Sequence, residues 1–222
     1  MKEADWRACT DPQWMLAFLQ GKASDRKVRL FACACCRLVF SEFFIFDGDI
    51  ERAIETAEWY ADGLACEDMR REAEQAAQNV EFGTSYDCLV NQVLVATVSK
   101  TLSAIDVWRR LVKYCQRYTC DDWRIPRIDK LATDGCQVLR EVFGPLPFRP
   151  VVVEASWMAW HDGAITKLAQ AIYDDRAFNR LSILAEALEE AGCTDRDILV
   201  HCRQSGDHVL GCWVADLLLG KE

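Results

Sequence analysis

Two short segments of this chain place metal-binding side chains at helical spacing. In FACACCR, Cys33 and Cys36 lie three residues apart and share a helix face, while Cys35 points elsewhere. In HVLGCW, His208 and Cys212 lie four apart and share a face in the same way. Thiolate and imidazole are the preferred ligands of zinc, so two such pairs from two helices could close a tetrahedral site. Cys193, His201 and Cys202 are substitutes near the second pair. His201 and Cys202 are adjacent and point about 100° apart on a helix, so both could not easily serve one ion. Against the zinc at Cys33, Cys36, His208 and Cys212 stands the commoner use of free cysteine as a small buried hydrophobe. Loop-borne C-x-x-C knuckles, the usual mark of structural zinc, are missing.

Other chemistry finds less support. The chain has only His161, His201 and His208, so acid–base work would lean on carboxylates, and no carboxylate pair stands in a setting that would raise a pKa. Cys202 beside His201 invites a nucleophile reading, but sequence neighbours do not face each other on a helix. Cys212 with His208 has the better spacing and no evident third group to orient it. A glycine-rich phosphate loop, a G-x-S-x-G elbow and the zinc-deaminase pattern are all absent. No catalytic or cofactor-binding residue is assigned. In ASWMAWHDG, Trp157, Trp160 and His161 could line a pocket between two helical parts, or simply wedge a strap onto the core.

The elements that must position these groups read as helices throughout. Asp11 and Pro12 open PQWMLAFLQ, which Gly21 ends. Ser24 caps DRKVRLFACACCRLVFSEFF, whose later part is apolar on most sides and therefore buried. Asp49 opens a third helix, and EDMRREAEQAAQNV follows as a surface helix. Ser103 and Asp106 form an S-x-x-D capping signature that restarts the glycine-free stretch from Ser85 to Tyr118. A helix from about Pro126 runs to Gly144. The segment PLPFRPVVV reads as an extended strap over residues 145–153, with a short strand at Val151–Val153 as an option that lacks a pairing partner. Beyond it, helices are expected at Ala164–Tyr173 and Leu181–Ala191. A short helix capped by Thr194 follows, then a closing helix from His208 to Leu219. The fold class is all-α, an irregular multi-helix bundle. Its expected organisation is 1–144, the strap 145–153, and 154–222, packed as one cooperative unit because the cysteine-rich helix is too apolar to stand uncovered.

Composition bounds the partners. The formal charge of −9 disfavours a nucleic-acid backbone or an anionic membrane and permits a basic protein partner. No stretch approaches the ~20 apolar residues that span a bilayer. The polar start MKEADWRACTD is unlike a secretory signal, so a cytoplasmic location is expected. Twelve cysteines in a reducing compartment then belong mostly to the core rather than to disulfides.

Three blocks carry a resemblance: LQGKASDRKVRLFACACCR, LAQAIYDDRAFNRLSILAEALEEAGCTDRDILVHCR and HVLGCWVADLLLGKE. The chain resembles an expanded family of planctomycete proteins, well at both ends and poorly over roughly residues 66–140. The resemblance implies no activity, cofactor or catalytic residue. In that family the WHDG position reads W-N-D-G and HVLGCW reads H-V-R-G-C-W, which implies that His161 is not a general catalytic group and that Leu210 replaces a basic residue.

The leading expectation is a non-enzymatic helical module that binds another protein, stabilised by a zinc. The alternatives are an enzyme with its site between the N-terminal and C-terminal helical parts, and an immunity-type protein that neutralises a basic toxin.

Overall fold

A computed structural model of the chain describes residues 1–40, 48–78, 87–118, 127–204, 206 and 208–221. Among these residues there are thirteen α-helices and no strand, as the helical periodicity requires. No helix among them is long and apolar enough to cross a membrane. Helix starts fall where the capping residues stand. The Asp11 carboxylate accepts the Gln13 N–H at 2.9 Å ahead of α2 (Pro12–Leu19). Ser24 Oγ accepts the Lys27 N–H at 3.3 Å ahead of α3 (Asp25–Phe40), and Ser103 Oγ accepts the Asp106 N–H at 3.3 Å ahead of α7 (Ala104–Tyr118).

The chain divides into two compact units, Met1–Leu139 and Arg140–Glu222, and the division falls inside α8 (Ile128–Phe143). The first unit is built around α3. Leu30, Phe31, Cys33, Cys35, Cys36 and Val39 are all buried there, because α4 (Gly48–Ala61), α6 (Asp87–Val98) and α7 pack on its different sides. Two buried arginines terminate α6. Arg29 Nη1 donates to the carbonyls of Thr97 (2.9 Å) and Ser99 (3.0 Å). Arg70 Nη1, from α5 (Glu67–Gln78), donates to Val98 O at 2.9 Å. The last carbonyls of a helix have no partner within it, and guanidinium groups supply one here.

The second unit gathers α9 (Ala155–Ala159), α10 (Ala164–Asp174), α11 (Leu181–Glu190), α12 (Arg196–Arg203) and α13 (Trp213–Leu219) around Ile165, Ile172, Leu184, Leu188, Ile198 and Val214. Three local expectations are corrected in it. The proline-rich segment is not extended from its start. Leu146 N–H bonds Phe143 O at 3.1 Å, and the N–H groups of Phe148 and Arg149 share Pro145 O at 3.0 and 3.1 Å. Proline loses its donor but keeps its acceptor, so Pro145 closes a turn, and only residues 150–154 lack regular structure. Val151–Val153 form no strand.

The cap of α12 is Asp195 rather than Thr194. Its carboxylate accepts the N–H groups of Asp197 (2.9 Å) and Ile198 (3.2 Å), and its charge suits the positive helix end. The closing helix begins at Trp213, not His208. Gly211, at φ 91°, turns the chain in a way that no helix continues through, and Cys212 becomes the N-cap residue. No disulfide joins the described cysteines, and all of them but Cys9 and Cys66 are buried.

Candidate metal centre

Four side chains of the second unit converge on one point. Glu141 stands on the last turn of α8, His201 on the last turn of α12, His208 on the connection that follows, and Cys212 at the start of α13. One ligand atom from each lies within 4.8 Å of all the others. His208 Nδ1 is 2.7 Å from Glu141 Oε1, His201 Nε2 is 3.4 Å from the same oxygen, and His201 Nε2 is 3.1 Å from Cys212 Sγ. The two imidazoles approach from different directions, with ring centroids 5.0 Å apart and planes at 69°.

These distances bear on two kinds of chemistry. In a Cys–His–acid triad the imidazole uses both nitrogens, one toward the thiol and the other toward the carboxylate. Here the single atom Nε2 of His201 faces both Cys212 Sγ and Glu141 Oε1, and one proton cannot serve both. A proton relay is therefore poorly built, whereas a ligand shell needs this convergence. A tetrahedron with zinc–ligand bonds of about 2.0–2.3 Å has edges of about 3.3–3.6 Å. The 3.1 and 3.4 Å separations are close to that size, and the 2.7 Å hydrogen bond would open by about half an ångström to admit the ion.

Burial and charge point the same way. The side chains of His201, His208 and Glu141 are 9%, 5% and 13% exposed, and Cys212 is fully buried. Burial disfavours the Glu141 carboxylate, but hydrogen bonds from His201 and His208, with their charge, outweigh it and draw the group down to about 2. Burial, helped by Glu141, pushes the Cys212 thiol well above its ordinary range, while the amides of Ala215 and Val214 act in the opposite sense. A bound dication would reverse that balance, since a coordinating thiol is deprotonated outright.

The supporting elements are tightly made. Trp213 follows Cys212 and lies with its indole centroid 5.2 Å from that of His201. The same indole covers Gly144, where a Cβ would come within 2.6 Å of the ring. Gly144 also adopts φ 50°, a conformation that costs a glycine little. The absence of a side chain at 144 thus lets the start of α13 close onto the end of α8, bringing Cys212 to Glu141.

Of the residues singled out from sequence, His208 and Cys212 meet in this cluster together with the substitute His201. They do so through a turn and a helix start, not through a shared helical face. Cys33 and Cys36 lie in the core of the first unit, with Cys33 Sγ 3.9 Å from Ile54 O and Cys36 Sγ 3.3 Å from Thr97 Oγ1. Cys193 and Cys202 are buried in the core of the second unit, outside the cluster, and burial takes the Cys202 thiol to about 12. Trp157 is buried in that core and Trp160 packs against it, while His161 is exposed with its ring 4.2 Å from that of Trp160. Glu141 is the member of the cluster that sequence reasoning misses. Its only signal is a lone acid set between Leu139 and Val142 at the end of an amphipathic helix.

No protein-family model, curated protein or solved structure matches this chain.

Proposed function

We propose that this protein is a non-enzymatic helical binding module whose C-terminal unit is held by one structural metal ion. The observation that carries the reading is the convergence of Glu141, His201, His208 and Cys212 within 4.8 Å. Three segments separate in sequence bring four donor side chains to one point there, the convergence that a metal ligand shell requires. Four protein donors fill a tetrahedral ion and leave no position for substrate or activated water, which makes the centre structural rather than catalytic. The partner is another protein, favoured over nucleic acid by the charge of −9. Buried thiols with no disulfide among the described residues support a reducing, cytoplasmic setting. The three sequence blocks support membership in the planctomycete family they resemble.

Thermal melting with and without a strong chelator tests the reading. An ion bound about a thousandfold more tightly than its free concentration adds roughly 4 kcal/mol. For a chain of this size that corresponds to a fall of roughly 10 °C in Tm on chelation, reversed by adding metal. Identical melting in both conditions would contradict it.

A further inference from the structure

Resting on the metal-centre reading above, we infer that the centre takes a zinc-class dication, Zn²⁺ or Co²⁺ in tetrahedral coordination, and that Cys212 makes this choice. Charge is the first argument. One carboxylate, one thiolate and two neutral imidazoles carry two negative charges, so a dication completes a neutral unit. Neutrality matters because the donors are buried, from fully buried Cys212 to Glu141 at 13% exposure, and a net charge left in such a place is expensive. Monovalent and trivalent ions leave one behind.

Donor type is the second argument. Calcium takes six to eight oxygens and magnesium a near-octahedral set rich in water. This cluster offers a single carboxylate, from Glu141, beside two imidazoles and a sulfur. Such a mixed set suits borderline-soft ions of small coordination number. Size agrees, since the 3.1 and 3.4 Å donor separations suit four ligands around a small ion.

The third argument is that Cys212 is fixed while its chemistry is singular. The residue is completely buried, begins α13 after the turn at Gly211, and is followed by Trp213 seated on Gly144. Glu141 and the histidines offer carboxylate and imidazole, donors that manganese and iron also accept. The sulfur is the one donor of the four that hard cations avoid.

Cobalt(II) titration of metal-stripped full-length protein tests this. Wild type is expected to give a thiolate-to-cobalt charge-transfer band in the near ultraviolet and the intense visible bands of tetrahedral cobalt. One equivalent of Zn²⁺ should bleach both, and a large excess of Mg²⁺ or Ca²⁺ should not. Cys212→Asp keeps the charge, and is expected to bind cobalt without the charge-transfer band and to lose more than about tenfold of its preference for Zn²⁺ over Mn²⁺. Cys202→Ser, which alters a neighbouring buried thiol outside the cluster, should leave the band unchanged and serves where the aspartate variant does not fold. Cobalt binding by wild type without the band, a band that survives in Cys212→Asp, or a band lost in Cys202→Ser would overturn the role of Cys212. Failure of wild type to bind either Co²⁺ or Zn²⁺ would instead remove the metal centre itself.

Discussion

His201 Nε2 lies 3.1 Å from Cys212 Sγ, although His201 belongs to α12 and Cys212 is the N-cap residue of α13. The contact is made by a buried imidazole and a fully buried thiol, with Glu141 Oε1 only 3.4 Å from the same nitrogen. On the proposed reading, both the stability of the second unit and its response to metal depend on how these three groups share charge.

The metal-free protein should lose stability in acid through Glu141. Its carboxyl is drawn from the usual 4.5 to about 2 in the folded chain. A depressed folded-state pKa contributes stability above the unfolded value, and that contribution fades as pH falls from about 4.5 toward 2. Urea midpoints of chelator-treated protein should therefore drop between pH ~5 and ~3, and Glu141→Gln should flatten the part of the drop that this residue supplies. An unchanged slope in the variant would assign the acid sensitivity elsewhere.

Gly144→Ala should weaken both fold and metal binding. The added Cβ meets the Trp213 indole at 2.6 Å and must also adopt φ 50°. Overpacking of this kind costs about 1–3 kcal/mol. Because Trp213 adjoins Cys212, metal affinity should fall with stability, as metal-buffered titration would show. A variant that melts lower but binds metal as tightly as wild type would separate the packing from the centre.

Arg29→Met should destabilise the first unit by about 2–3 kcal/mol, measured by denaturant unfolding. The substitution removes charged hydrogen bonds to Thr97 O and Ser99 O and leaves those carbonyls short of a donor. A loss below about 0.5 kcal/mol would mean that water takes over the cap of α6.

Cysteine labelling in the native state should be confined, among the described residues, to Cys9 and Cys66. Burial raises the thiols of Cys33 and Cys35 well above the ordinary value and that of Cys36 to about 12, so little thiolate is present at neutral pH. Mass spectrometry of alkylated peptides before and after denaturation checks this. Rapid native labelling of Cys33 or Cys36 would show that the first unit opens locally.

Much of the fold was legible because helix signals are local. Asp11, Ser24 and Ser103 cap where their side chains predict, and the apolar run of α3 is buried as its all-round hydrophobicity requires. The start of α13 is hidden in the sequence because His208 to Leu219 keeps helical periodicity, while the backbone turn at Gly211 overrides it. His208 and Cys212 meet in the cluster through that turn, not through a shared helix face. Glu141 could not be found at all, since its significance comes from histidines 60 and 67 positions later, and nothing local marks one acid among 35. Cys33 and Cys36 carried the stronger local pattern, yet an apolar helix uses small side chains for packing whether or not a metal is near.

Metal content of untagged protein, purified without chelator and dialysed, is the sharpest test of the metal centre. About one zinc-class ion per chain is expected in wild type. The ion should be lost in Glu141→Gln and His208→Ala, and retained in a Cys33→Ser, Cys36→Ser double variant. Metal-free wild type that still fails to take up zinc on reconstitution, or an ion lost only when Cys33 and Cys36 are changed, would contradict that centre.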